Sequence, residues 1–354
     1  MWTFFVHEFL GALVVALLTG IVFGLGEFLR RRRILAPEQS RKLLHLGGCG
    51  SALLFPVLFD SHWSVLAVCW GFAALIYCLS RRGQLHAVDD VSRHSYGGVL
   101  HPISLYLCFL LATLTDRPGF YSIAILVLAL SDTAAALVGE RYGRFRYRVD
   151  GENYRSLEGS FFFFLVTYAL VHHILLLGVG MPPLEASVLA FMIGVLVTLF
   201  ECVSLGGADN LAIPLGVMVI LIKNAHPDLA AMTHQIVCLA GSFAAVCIPM
   251  RLLGVMRGSG RVVTALLVYL ASGLHSPWWG AATVAVAVAI HVSRTLRLAE
   301  IRTVFALAAL PFATVMGFNI AEKLGGWFDL RVSTPVYVVS LLVSFVVVRA
   351  YEKR

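Results

Sequence analysis

An all-α, polytopic integral membrane bundle is the fold class this sequence predicts, and three observations predict it. Of its 354 residues, 59% are hydrophobic and only 13% are charged, against about 25% in a soluble domain. The mean hydropathy is +0.85. Apolar stretches recur along the whole chain, many of them near the roughly 17–25 residues a helix needs to cross about 30 Å of hydrocarbon. The strand alternation of an outer-membrane barrel is absent.

Thirteen spans are expected, at 8–29, 43–59, 63–80, 98–115, 119–139, 158–179, 184–203, 209–222, 230–250, 262–275, 277–293, 303–318 and 332–349. The first lacks a basic leader and a clear small-residue cleavage site, and its arginines (Arg30 to Arg33) follow it. That is the pattern of a retained helix with its N-terminus outside. The second opens on Arg41-Lys42-Leu43-Leu44-His45, and the fourth on a polar, flexible stretch holding His94, Gly97, Gly98 and His101. The fifth span carries an acid near its end, in Ser131-Asp132-Thr133-Ala134-Ala135-Ala136-Leu137-Val138-Gly139. A basic loop with Gly143 leads from there to Arg155-Ser156-Leu157-Glu158-Gly159-Ser160, which starts the sixth. Glu201 closes the seventh, and Gly206-Gly207-Ala208-Asp209-Asn210 opens the eighth. The later spans carry no comparable polar element. Residues 1–29 read as a leading transmembrane helix, and 226–354 as additional spans of unassigned role.

The basic residues orient this bundle. When the loops are dealt alternately to two sides, 23 of the 27 lysines and arginines fall on one side and 4 on the other. The positive-inside rule makes the rich side cytoplasmic, which puts the C-terminus and the loop 140–157 there. A bacterial inner membrane suits this arrangement. The net charge of +7 therefore belongs to topology. No aromatic-interleaved basic stripe points to nucleic acid. The seven cysteines form no CxxC pair and read as small apolar residues. Neither a Walker A run, nor a dinucleotide fingerprint, nor HExxH occurs.

The polar elements suggest phosphate chemistry. Intramembrane acids are costly and usually face a cavity or a partner. Asp132 and Asp209, from different helices, suit a Mg²⁺ ion that also takes phosphate oxygens; pairing with arginine or helix capping would equally explain each acid alone. Ser156 reads as an N-cap, at a helix start whose free N–H groups can bind an anion. Gly159 would let a phosphate come close, and Arg155 adds a bidentate cation. An ordinary capped helix is the plainer reading of that stretch taken singly. Arg41 and His45 share a helix face, which an interfacial anchor would also explain. His94 and His101 lack a third metal ligand.

The three elements Arg41–His45, Ser131–Ser160 and Glu201–Pro214, in this order, resemble the CTP-dependent lipid alcohol kinases, the phytol, farnesol and dolichol kinases, over roughly residues 30–225. The phosphatidate cytidylyltransferases share much of the pattern, but their later Lys-Arg-x₄-Lys-Asp run is missing here, and Asn210 stands where they carry a basic residue. Arg155 departs from both families, which carry lysine at that position. The resemblance implies a kinase that moves the γ-phosphate of CTP, a nucleotide triphosphate, onto a lipid alcohol from the bilayer at the cytoplasmic face. It implies Mg²⁺ on Asp132 and Asp209. Phosphates would lie against Arg41, Lys42, Ser131, Gly139, Gly143, Arg155, Ser156 and Gly159, with Glu158 and Asn210 orienting metal or nucleotide. His45 or Glu201 would accept the alcohol proton. A CDP-lipid synthase is the neighbouring alternative, and a transporter using Asp132 as an ion site is the alternative of another class, although no internal repeat supports it.

Overall fold

The computed structural model describes residues 2–82, 97–150, 153–226, 228–252, 254, 258–274, 277–293, 301–325 and 330–352. In chain order the helices are α1 (Trp2–Arg31), α2 (Pro37–Ala52), α3 (Phe55–Leu58), α4 (His62–Arg81), α5 (Gly97–Leu114), α6 (Pro118–Leu126), α7 (Asp132–Tyr142), α8 (Leu157–His173), α9 (Pro183–Val203), α10 (Asp209–Lys223), α11 (Leu229–Leu252), α12 (Gly258–Leu274), α13 (Pro277–Ser293), α14 (Ile301–Gly325) and α15 (Leu330–Glu352). A π-helical turn, Val127–Ser131, joins α6 to α7, and another, Ile174–Gly178, extends α8. The chain is an all-α bundle. Every expected span falls on a helix, and seven continuous helices among the described residues are long and apolar enough to cross a membrane.

Two departures from the sequence reading matter for the site. The second span does not begin at residue 43. Pro37 at the first helical position starts α2 two turns earlier, with the Ala36 N–H donating to Gln39 Oε1 at 3.1 Å. The Arg41–His45 element therefore lies inside a helix, not at its mouth. The loop 140–157 also contains an antiparallel hairpin, β1 (Arg146–Asp150) and β2 (Asn153–Ser156), with Tyr147 opposite Arg155. Tyr147 and Val149 alternate with Arg146 and Arg148 along β1. That short pattern was the available signal.

The core sits where α6, α9 and α10 meet: Tyr121, Ile123, Leu189, Ile193, Ile213 and Val217 are all buried. The outer faces stay apolar. Phe5, Phe9, Leu17 and Ile21 of α1 are exposed, a surface that only lipid or a partner would cover. The later helices close around this core. Stacked Trp279 and Tyr337, 4.4 Å between ring centroids, tie α13 to α15. Ser259 at the start of α12 donates to the Val149 carbonyl at 3.2 Å, which fastens the hairpin to the extension.

Candidate active site

The π-helical turn prepares the position of Asp132. A wider turn breaks the regular i→i−4 ladder and leaves carbonyls for other partners. His45 of α2 uses one of them: its Nε2 lies 3.2 Å from the Leu128 carbonyl oxygen, so Nε2 carries the proton, and 3.6 Å from Asp132 Oδ2. Lys42, one turn earlier on the same face, forms an ion pair with the Asp132 carboxylate and also reaches the Asp132 carbonyl at 3.3 Å. Both charges are withdrawn from solvent, with side-chain exposures of 5% for Lys42 and 14% for Asp132.

A second charged group forms from the hairpin. Arg155 of β2 forms an ion pair with Glu201 at the end of α9, and its other terminal nitrogen lies 3.3 Å from Asp209 Oδ2 at the start of α10. The guanidinium fork thus joins two helix ends, a geometry the planar group allows. Ser160 donates to Glu201 at 3.5 Å and lies 2.8 Å from the Tyr147 hydroxyl. Burial pushes the Tyr147 phenol above its usual range, which keeps its proton in place.

Close helix approach brings the two groups together. A Cβ on Gly159 would lie 2.8 Å from the Ala135 carbonyl and 3.3 Å from the Gly139 Cα, so α7 and α8 touch backbone to backbone there. The result is one polar cavity of about 330 Å³, lined by Arg41, Lys42, Asp132, Gly139, Arg155, Ser156, Gly159, Glu201 and Asp209 together with Glu38, Glu140, Arg146, Tyr154 and Ser160. His45 reaches it through Asp132.

Four expected site residues lie elsewhere. Ser131 is fully buried and accepts a hydrogen bond from Thr167 at 2.9 Å. Gly143 serves packing, since a Cβ there would overlap the Gly139 carbonyl. The Glu158 carboxylate turns back to the loop and accepts from the amides of Arg144 (2.9 Å) and Phe145 (3.1 Å). Asn210 donates to the Gly97 carbonyl at 3.3 Å. The free N–H groups expected at the α8 start are also partly taken: Gly159 N–H donates to Ser156 Oγ and Leu157 N–H to the Phe145 carbonyl. Ser156 is the N-cap, as its residue type predicts.

Glu38, Glu140, Arg146, Tyr154 and Ser160 are lining residues that the sequence reading missed. Arg146 and Tyr154 come with the hairpin. Glu38 comes with the earlier start of α2, where it holds Arg41 at 2.5 Å. His101 also finds unexpected company. Its Nε2 is 3.9 Å from Cys49 Sγ, and its ring centroid is 5.0 Å from that of His45. His94 lies outside the described residues.

The cavity offers carboxylate oxygens, the donor type Mg²⁺ takes. That ion takes one or two carboxylates plus phosphate oxygens and waters, and the cavity presents the oxygens of Asp132, Asp209 and Glu201 among four cationic side chains. Over 198 residues, 56% of this chain and 84% of that protein, the sequence is 34% identical to a phytol kinase from Synechocystis sp.. No family model and no solved structure matches the chain.

Proposed function

Since the chain belongs to the phytol kinase family, we propose that it moves the γ-phosphate of CTP onto the hydroxyl of an isoprenoid alcohol drawn from the bilayer. In this reading all thirteen spans cross the membrane and the polar cavity faces the cytoplasm, where nucleotides are found. The observation that carries the reading is the gathering of Asp132, Asp209, Lys42, Arg41 and Arg155 around one cavity in an otherwise apolar bundle.

Phosphoryl transfer asks a protein mainly for positioning and charge neutralisation. Four of the five acids that line the cavity are already held by a cation: Glu38 by Arg41, Asp132 by Lys42, Asp209 and Glu201 by Arg155. A metal–nucleotide complex offers both signs at once. Asp132 and Asp209 would hold Mg²⁺, which neutralises phosphate charge when bound. Lys42, Arg41 and the Arg155 nitrogen that faces Asp209 would turn to phosphate oxygens, while the other terminal nitrogen of Arg155 keeps Glu201. Charge pairs are then exchanged and no buried charge is left alone, which matters because an unpaired buried charge costs about 3–5 kcal/mol.

Of the two proton acceptors, His45 fits better. Glu201 is neutralised by Arg155. His45 donates from Nε2 to the Leu128 carbonyl, and the same nitrogen lies 3.6 Å from the Asp132 carboxylate that lines the cavity. The lipid hydroxyl would reach the cavity from the bilayer side.

Membranes containing the protein, supplied with a pool of isoprenoid alcohols and CTP labelled at either the γ or the α phosphate, test this reading. Label from the γ position in lipid is the expected result. Label from the α position would instead make the protein a cytidylyltransferase, and no label in lipid from well-expressed protein would overturn the kinase assignment.

A further inference from the structure

A second cavity, of about 500 Å³, lies between α5, α9, α10, α12 and α14, within the range of about 300–1,000 Å³ typical of ligand sites. Its lining is hydrocarbon, and among the described residues Ser204 carries the only polar side chain in it. The corner between α9 and α10 borders both cavities. Glu201 and Asp209 line the polar one, while Phe200, Val203, Ser204 and Ala208, their neighbours in sequence, line the apolar one. From Ala208 the apolar wall continues along α10 to Val219, about 16 Å at 1.5 Å per residue.

The opposite wall comes from the C-terminal extension. On α14, Ala309, Ala313 and Gly317 recur every fourth residue and line the cavity along one helix face. A Cβ added at Gly317 would meet nothing within 4 Å, so a larger side chain has room at this position. Phe312 packs edge-on against Phe200, with ring centroids 5.7 Å apart, and fixes α14 against α9 beside the polar corner.

We propose that this cavity is the binding site for the hydrocarbon tail of the alcohol, and that α12 and α14 are the part of the extension that shapes it. The proposal rests on the kinase reading for the identity of the ligand. An amphiphile with one hydroxyl head and one long apolar chain matches a polar and an apolar cavity that share a wall. The absence of side-chain bulk at 309, 313 and 317 leaves room for a branched chain. A ligand with polar groups along its length would find no partner beyond Ser204.

The test uses the full-length protein in lipid nanodiscs and a long-chain isoprenoid alcohol bearing a diazirine in its tail. After irradiation the adducts are mapped by mass spectrometry. Adducts on lining segments of α10, α12 or α14, competed by excess unlabelled phytol, are expected; adducts confined to other helices would overturn the proposal. In parallel, Ala313→Phe and Gly317→Leu are each expected to lower the ratio of kcat/KM for phytol to that for geraniol by about tenfold or more. An unchanged ratio in both well-inserted variants would also count against it. Cavity labelling in a protein that phosphorylates no alcohol would sink the kinase reading and leave the tail site standing. Phosphorylation of phytol with labelling only elsewhere would do the reverse.

Discussion

Lys42 and Asp132, 90 residues apart in sequence, form a buried ion pair that joins α2 to the helix turn following the π-helical segment. Neither charge has ready access to water. Removing one partner leaves the other buried and alone, at a cost of about 3–5 kcal/mol. Lys42→Met is therefore expected to lower the melting temperature of the detergent-solubilised protein and to abolish transfer. Asp132→Asn is expected to abolish transfer too, while the protein remains inserted. The double variant Lys42→Met/Asp132→Asn removes both charges and is expected to regain part of the stability but none of the activity. Full activity in Asp132→Asn would remove this carboxylate from the site.

Arg155 binds Glu201 and Asp209 with different nitrogens of one guanidinium. A lysine ammonium keeps the charge but cannot span two acids with a planar fork. Loss of one charge-assisted hydrogen bond, worth about 1.5–3 kcal/mol, is expected to lower kcat/KM of Arg155→Lys about 10- to 100-fold. Arg155→Met, which leaves two acids without their cation, is expected to lose all measurable activity. Steady-state kinetics with varied nucleotide separates the two. Equal activity in wild type and Arg155→Met would exclude a role in phosphate binding.

Gly159 is a contact residue before it is anything else. A methyl group there would press on the Ala135 carbonyl at 2.8 Å and on Ser156 Oγ at 3.0 Å. Backbone cannot rotate away, so α8 must shift from α7. Overpacking of this kind costs about 1–3 kcal/mol. Gly159→Ala is expected to reduce both thermal stability and transfer, because the shift also moves Ser156 and Arg155. Gly143→Ala presses on the Gly139 carbonyl and is expected to behave in the same way, although Gly143 lies outside the cavity lining. A drop in activity without any loss of stability in either variant would point to direct ligand contact instead.

Much of this architecture was legible because its signals are local or additive. Apolar length marks each helix, and Ser156 declares its capping role by residue type and position. Asp132, Asp209, Arg41 and Arg155 stood out because a charge in an apolar chain needs a partner or a cavity. What could not be read is where side chains turn. Asp209 and Asn210 are neighbours in sequence, yet one lines the polar cavity and the other donates to Gly97. The hairpin escaped notice because four-residue strands leave little periodicity to count. The apolar cavity has no local signature, since α5, α9, α10, α12 and α14 all contribute to it.

Glu158 offers the sharpest contrast between sequence pattern and geometry. It stands between Ser156 and Gly159, within the stretch that most resembles a phosphate loop. Its carboxylate, however, accepts the amides of Arg144 and Phe145 and so closes the turn that leads into β1. It is absent from the cavity lining. The amides need an acceptor, but a neutral carboxamide oxygen supplies one. Glu158→Gln is therefore expected to keep the nucleotide KM within about twofold, with kcat falling less than about tenfold. Glu158→Ala removes the acceptor and is expected to loosen the hairpin, which would appear as faster amide hydrogen exchange at residues 144–149 and a lower kcat. The two variants distinguish the roles: a direct ligand to metal or nucleotide would make Glu158→Gln nearly as damaging as Glu158→Ala and would raise KM in both. A positioning role gives a large gap between them, with KM unmoved.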